Sequence, residues 1–361
     1  MSTHLPTEGK KGRWKRVLLV LAGTVILLLG LLYGYYRSKI AMLQYDSGTL
    51  EQEGVVTEEE TREDAAEMED ATADLEEGES IAAEGEVFSD RDVFNVLLIG
   101  TDERTKSFST NARGDSCILV SINCKTMQVS LVSFERGMGV PILSGSYKGQ
   151  WDWLTHTFRY GGAELMMRGI QECFKVDVNY YVRINIATFM QLIDCVGGVE
   201  IELTQAEADY INDWDRIGVH IFEMGVQDEV QQVRTGSNHL NGATAMVYAR
   251  CRAIDNDWRR VERQRKVIQS VLEQSKSLGL LELNSLLDQV LPLVQTNLTE
   301  KEITNLLLLA PQLPKVTVQQ MTIPVQGSYG SMTGMGGRKM FAVDFAQNAA
   351  ILQQMLYGTG E

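Results

Sequence analysis

VFNVLLIG, Val93 to Gly100, is an apolar run with Asn95 as its one polar side chain, and TDER (Thr101–Arg104) follows directly. A short, near-continuous apolar run closed by a turn residue predicts a strand covered on both faces. CILVSIN (Cys117–Asn123) and QVSLVSF (Gln128–Phe134) come next, joined by a polar turn at Lys125-Thr126, and predict a hairpin. GGAELMMRGIQECF (Gly161–Phe174) has helical spacing. NYYVRINIATFMQLIDCVGGVEIEL (Asn179–Leu203) predicts strand, helix and strand, with Gly197-Gly198 stopping the helix. Asn241 is placed to cap the helix GATAMVYAR, and Val261–Leu278 predicts a long amphipathic helix. Further helices are expected over Leu280–Val294, Glu300–Leu308 and Val343–Leu356, with a late strand at Val316–Pro324. Alternating strands and helices without internal repeats predict one α/β domain, and the hairpin makes its central sheet mixed.

Upstream of this domain, the sequence changes character twice. Val17–Tyr36 is an uncharged apolar run of 20 residues, preceded by Lys10, Lys11, Arg13, Lys15 and Arg16. That length matches a helix crossing a hydrocarbon core, and the basic flank predicts a cytoplasmic N-terminus with the rest outside. A cleaved signal peptide has a shorter core and a small-residue cleavage site. This run ends in Tyr33, Tyr35, Tyr36 and Arg37, which favours an uncleaved anchor. Glu51–Asp90 then carries 17 acidic residues and one arginine; without it the formal charge rises from −15 to +1. Such a segment cannot bury enough apolar surface to offset its ordering entropy and is expected to be a solvated spacer. The expected organisation is a basic cytoplasmic segment (1–16), a transmembrane helix (17–36), an acidic disordered linker (37–91) and a catalytic domain (92–361).

The chemistry gathers at two places. YARCRAIDNDWRRVERQR (Tyr248–Arg265) packs six arginines into a short stretch: Arg250, Arg252, Arg259, Arg260, Arg263 and Arg265. Guanidinium groups fork onto phosphate oxygens, and a helix N-terminus is itself an anion site. Arg250 and Arg252 follow a helix carboxyl end, where a cation also offsets the helix dipole. Some of the others are expected to be plain helix surface, with Arg260 the preferred anion ligand. The second place is the end of the first strand. Asp102 follows it, and Arg113 and Asp115 precede the next, so hairpin geometry brings the two aspartates together. Two carboxylates with open water positions suit Mg²⁺ bound jointly with substrate phosphates. A turn cap at Asp102 and a surface Asp115 is the bland alternative. Arg136 ends the hairpin's second strand at the same sheet edge as Asp102.

Other classes are excluded or weakened. The basic residues form no stripe, and an outside location removes nucleic acid as a partner. GxSxG, HExxH and Walker motifs are absent. The four histidines are not paired and the five cysteines contain no CxxC, so neither suggests a zinc site. Most of the cysteines are expected to be small buried residues, although a Cys173–Cys195 bridge is possible outside the cell.

VLLIGTDER, RGDSCILVSIN, VSLVSFER, THTFRYGGAE, YYVRINIATFMQLIDCVGGVEIEL, HLNGATAMVYARCR, RRVERQRKV and GSYGSMTGMGG occur in that order. This series resembles the LytR–CpsA–Psr family from about Asp92 onward. The resemblance implies a membrane-tethered, extracytoplasmic phosphotransferase of mainly Gram-positive bacteria. It would move a glycopolymer (teichoic acid, capsule or similar) from a polyprenyl diphosphate carrier to peptidoglycan. It implies Mg²⁺ on Asp102 and Asp115, and diphosphate on Arg113, Arg136, Arg250, Arg252 and Arg260. Asp102, Asp115 and Arg136 would carry the catalysis. A groove for the carrier's apolar tail is implied between sheet and helices, with Val182, Ile184, Phe189 and Leu192 as its expected lining. A diphosphate hydrolase at the same site, or a non-catalytic carrier- or wall-binding protein, are the alternatives.

Three departures stand out. The family's usual Pro-Arg-Asp is Glu135-Arg136-Gly137 here. Its Lys-Ile-Asn-His is Trp153-Leu154-Thr155-His156, and Lys148 is too distant to replace the lysine. Its glycine before the downstream arginine is Arg259.

Overall fold

A computed structural model describes residues 34, 37–38, 41–46, 65–66, 68–103, 107–109, 112–251 and 254–358. The chain divides into two compact units, residues 1–43 and 44–361, and the sheets and helices of the domain all belong to the second. The expected membrane span, 17–36, lies outside the described residues except for Gly34. Among the described residues no helix is long and apolar enough to cross a membrane.

The strands are β1 (Gln44–Tyr45), β2 (Val93–Thr101), β3 (Ser116–Asn123), β4 (Gln128–Phe134), β5 (Gly139–Pro141), β6 (Trp151–Trp153), β7 (Tyr180–Asn185), β8 (Val199–Leu203), β9 (Gly236–Leu240), β10 (Gln295–Thr296), β11 (Thr317–Ile323), β12 (Tyr329–Thr333) and β13 (Lys339–Val343). The central sheet runs β1-β10-β7-β2-β3-β4-β11. β2, β3 and β4 pair antiparallel, whereas β7 joins β2 and β11 joins β4 in parallel, so the sheet is mixed as expected. The Asn123 side-chain oxygen accepts from the backbone N–H groups of Lys125 and Thr126, and Met127 turns through φ 57°, which closes the β3–β4 hairpin.

The helices are α1 (Leu154–Phe174), α2 (Ile186–Cys195), α3 (Gln205–Asn212), α4 (Trp214–Met224), α5 (Gly242–Arg250), α6 (Asp257–Ser275), α7 (Leu280–Val290), α8 (Glu300–Leu309) and α9 (Phe345–Tyr357). Two start earlier than their periodicity suggests. α1 runs through a non-helical kink at Gly161-Gly162, back to Leu154. α6 begins four residues ahead of the expected Val261, because Asn256 accepts from the Arg259 N–H and caps it. Asn241 caps α5 as anticipated.

One sheet face packs on α1 and α9 through Leu97, Ile99, Leu119, Val132, Phe134, Phe158, Phe174 and Leu352, all at most 2% exposed. On the opposite face, Val129 and Leu131 meet Ile268 and Leu272 of α6. A second core, built from α2, α5 and the β8–β9 hairpin, centres on Ile193, Val199, Leu240 and Tyr248. All five cysteines are free thiols, so the possible Cys173–Cys195 bridge is not formed; Cys173 is buried in the α1 core.

The acidic segment departs from expectation. Residues 68–91 do not behave as a solvated spacer but lie along the domain as a strap. Met68 and Thr72 are buried. Gly78 and Ser331 of β12 are joined by a backbone hydrogen bond of 2.9 Å, Ile81 donates to Val343 at 3.0 Å, and Phe88 donates to Lys175 at 2.8 Å. Composition misleads here because most acidic side chains face outward while the backbone and a few apolar residues make the attachment. The folded region therefore begins upstream of the expected residue 92.

Candidate functional site

β2 and β4 run in one direction with β3 between them, so the ends of β2 and β4 and the start of β3 share one sheet edge. Gly100 pairs with Ser116, which sets Asp102 beside Arg113 and Asp115. The Arg113 backbone N–H and Nε both donate to Asp102, at 3.0 and 3.1 Å. The same guanidinium lies 3.6 Å from Asp115 Oδ2. Burial raises the Asp102 pKa, the neighbouring Asp115 charge raises it further, and Arg113 opposes both. Two aspartates crowded enough to repel, each about a quarter exposed, form a donor set suited to Mg²⁺ shared with phosphate oxygens and water. Among the described residues no group of three or more His, Cys, Asp or Glu could hold a metal ion alone.

A second cluster forms where β4 ends. Arg136 is 5% exposed, and its Nε lies 3.6 Å from Asp257 Oδ2; Arg260, 2% exposed, donates to that oxygen at 2.8 Å. Asp257 opens α6 three residues before Arg260, a spacing that puts both on one helix face. Glu135, which precedes Arg136 in the chain, is 1% exposed. Burial drives its pKa well above the carboxylate range, Asp257 adds to this, and Arg260 and Arg136 oppose it. Thr155 ties the two clusters together: its N–H donates to the Arg136 carbonyl at 3.3 Å and its hydroxyl to Asp115 Oδ1 at 3.3 Å.

Thr155 sits in the first turn of α1, which a buried network holds. Asp152 is fully buried and accepts from Tyr160 Oη (2.6 Å), Arg338 Nε (3.0 Å) and the Trp153 N–H (2.8 Å), with His156 Nδ1 at 3.1 Å. Burial alone would raise the Asp152 pKa, yet His156 and Arg338 bring it below the usual carboxylate value. The loop carrying Asp102 is held at its other end. Arg183 lies between the Phe108 and Phe158 rings, 4.9 and 4.8 Å from their centroids, and pairs with Glu103 and the Ser109 carbonyl.

The arginine-rich stretch divides. Arg260 joins the site. Arg263 is a buried structural tie, donating to Asp255 at 2.6 and 2.8 Å and to the Cys251 carbonyl at 2.7 Å, and pairing with Glu207. Arg265 fastens α6 to β11 through Thr322 at 2.7 Å. Both were expected on the helix surface unless they bound anion; instead each has found a partner inside the protein. Arg259 is exposed and pairs with Glu262. Arg250 closes α5 and is half-buried, and Arg252 lies outside the described residues. Val182, Ile184, Phe189 and Leu192 are all half-buried; Phe189 and Leu192 lie against the second core. Sequence reasoning missed Glu135, Asp257, Thr155 and Asp152. The Asp257–Arg260 and Asp152–His156–Tyr160 helical spacings were the available signals.

Gly137, where the resemblance has an aspartate, is filled from outside. A Cβ built there would lie 2.3 Å from Met68 Sδ and 2.7 Å from its Cε. The strap's methionine thus occupies the space of the lost side chain.

Among known proteins, the chain is 28% identical over 211 residues to the Bacillus cereus polyisoprenyl-teichoic acid–peptidoglycan teichoic acid transferase TagU. That match covers 58% of this chain and 61% of the relative, so the chain spans about three-fifths of that relative's length. A solved Streptococcus agalactiae protein superposes with a TM-score of 0.59 at 27% identity, covering 73% of this chain and 88% of that one. TagT with bound octaprenyl pyrophosphate lipid superposes with a TM-score of 0.53 at 22% identity, covering 79% of this chain and 99% of that one, a likeness of fold. Residues 55–356 match the LytR_cpsA_psr family profile, which takes in the whole acidic strap as well as the domain. The chain belongs to the LytR–CpsA–Psr family.

Proposed function

We propose that this protein transfers a glycopolymer from a polyprenyl diphosphate carrier to peptidoglycan, with its domain outside the cell membrane. The observation that carries the reading is the Thr155 link, which fuses a two-aspartate, one-arginine cluster with an Arg136–Arg260 cluster on one sheet edge. A diphosphate needs fixed positive charge for its oxygens, and this edge supplies buried guanidinium groups. The transferase name of the Bacillus cereus relative supports the same chemistry.

A peptidoglycan sugar hydroxyl attacks the polymer-linked phosphorus. The new phosphorus–oxygen bond forms as the diphosphate bridge breaks; the bridging oxygen leaves with polyprenyl phosphate, and the hydroxyl proton passes to solvent. Arg113, Arg136 and Arg260 hold the phosphate oxygens and offset the charge that spreads over them. Arg250 and Arg252 are assigned to the same diphosphate by family resemblance. Asp102 and Asp115 would hold Mg²⁺, which supplies further positive charge against the phosphates. The carrier's tail runs over the half-buried Val182, Ile184, Phe189 and Leu192.

The test supplies the full chain with Mg²⁺, a polyprenyl-diphosphate oligosaccharide and peptidoglycan strands, and looks for phosphodiester-linked product by mass spectrometry. Product is expected from the wild type and not from Asp115→Ala or Arg136→Ala. Polymer released to water without acceptor linkage would make the protein a hydrolase. Carrier bound but unchanged would make it a binding protein.

A further inference from the structure

We propose that Arg183 is a positioning residue for Asp102. One buried guanidinium on β7 holds the residues on either side of that aspartate, and so fixes where its carboxylate stands at the site. The inference rests on the transferase reading of this site and adds to it a group that acts without touching substrate.

β7 runs parallel to β2, with Ile184 and Asn185 beside Gly100 and Thr101. From there Arg183 Nε donates to the Thr101 hydroxyl at 3.2 Å. Its Nη2 donates to the Glu103 carboxylate and, at 2.7 Å, to the Ser109 carbonyl. Thr101 and Glu103 are the two chain neighbours of Asp102, so one side chain grips both. Their own bonds reinforce the hold. The Thr101 hydroxyl donates to the Ile184 carbonyl at 3.3 Å, and the Ile186 N–H donates to the Glu103 carbonyl at 3.2 Å. The Ser109 N–H donates to Glu103 Oε1 at 2.7 Å, so Glu103 and Arg183 hold Ser109 by its N–H and its carbonyl. On its far side the guanidinium is fixed to β10, where Nη1 donates to the Gln295 side chain at 2.9 Å. Asp102 is thus held at its carboxylate by Arg113 and through its backbone neighbours by Arg183. The same geometry leaves Arg183 little to offer a phosphate. A guanidinium has five N–H groups, and these bonds use four. Both of its faces meet aromatic rings, Arg183 is 4% exposed, and Glu103 offsets its charge. Lysine keeps the charge but has neither the fork nor the flat face, so it cannot make this set of contacts.

The experiment titrates farnesyl diphosphate with Mg²⁺ into the full chain by calorimetry, for wild type, Arg183→Lys, Asp102→Asn and the double variant. Arg183→Lys is expected to weaken binding by about tenfold. Asp102→Asn keeps the arginines that hold the diphosphate, and in that background Arg183→Lys is expected to weaken binding no further, because nothing is left for it to position. A direct phosphate ligand would lower affinity by the same factor in both backgrounds. Hydrogen exchange of the unliganded proteins supplies a measurement independent of binding. In Arg183→Lys the amides of Glu103 and Ser109 are expected to exchange about tenfold faster, while Leu97 and Ile99 inside β2 keep their wild-type rates. Phe108→Leu takes away one covering ring at a half-buried position and is expected to move both readouts the same way, by less. Unchanged exchange at Glu103 and Ser109, or equal loss of affinity in both backgrounds, would overturn the positioning role. A wild type that does not bind the probe, with exchange still faster in Arg183→Lys, would instead overturn the diphosphate reading and the role that depends on it.

Discussion

Adding one methyl group at Gly137 is expected to loosen the acidic strap. The Cβ of Gly137→Ala would sit 2.3 Å from Met68 Sδ and 2.7 Å from Cε, well inside contact distance. Forcing a methyl into a packed site costs about 1–3 kcal/mol. There is also an upper limit, because Met68 can leave. Expelling it forfeits the burial of one methionine side chain, about 1.5–3 kcal/mol. Both routes give a loss of about 1–3 kcal/mol, or roughly 2–6 °C in melting temperature for a domain of this size. Calorimetric melting measures the loss, and limited proteolysis at Glu69 and Glu76 reports whether the strap has come away. The Met68→Ala background separates the causes, since alanine removes both crowding atoms. There the added methyl should cost far less than in the wild type, a coupling of about 1–2 kcal/mol. An unchanged melting temperature with no new cleavage would refute the reasoning, as would an equal cost in both backgrounds.

Asp115→Asn or Arg113→Gln should leave the melting temperature within a few degrees of wild type but lower transfer by about 10²–10³-fold, as removal of one charge-stabilising group typically does; single-turnover product formation measures it. Asp152→Asn should be costly, about 3–5 kcal/mol, because it leaves the Arg338 guanidinium facing a neutral group inside the protein; denaturant unfolding reads the change. Glu135 predicts a pH slope in stability. Its folded-state pKa is raised, so the folded chain binds more protons than the unfolded one above the ordinary carboxylate range, and stability falls as pH rises toward that raised value. Glu135→Gln should flatten this part of the slope in a series of denaturant melts. Since all five cysteines are free, melting with and without reductant should coincide, and thiol labelling of the unfolded chain should count five.

The α/β class, the β3–β4 hairpin, the Asn241 cap and the Gly197-Gly198 stop were legible in the residues alone. Each depends on interactions within a few positions: alternation, periodicity, a cap or a positive φ. The pairing of Asp102 with Asp115 followed from strand order, because antiparallel neighbours bring their ends together. What tertiary structure alone decided lies where partners come from far along the chain. Six clustered arginines look equivalent in sequence, yet Glu207 and Asp255 claim Arg263, Thr322 claims Arg265, and Arg260 is left to share Asp257 with Arg136. The acidic strap reads as unfolded because composition sums its charges, whereas docking turns on Met68 entering the gap at Gly137 and on backbone bonds that any side chain permits. Burial raises the stakes of each such choice: a charge out of water needs a partner or a proton, and only the folded chain determines which of the two it receives.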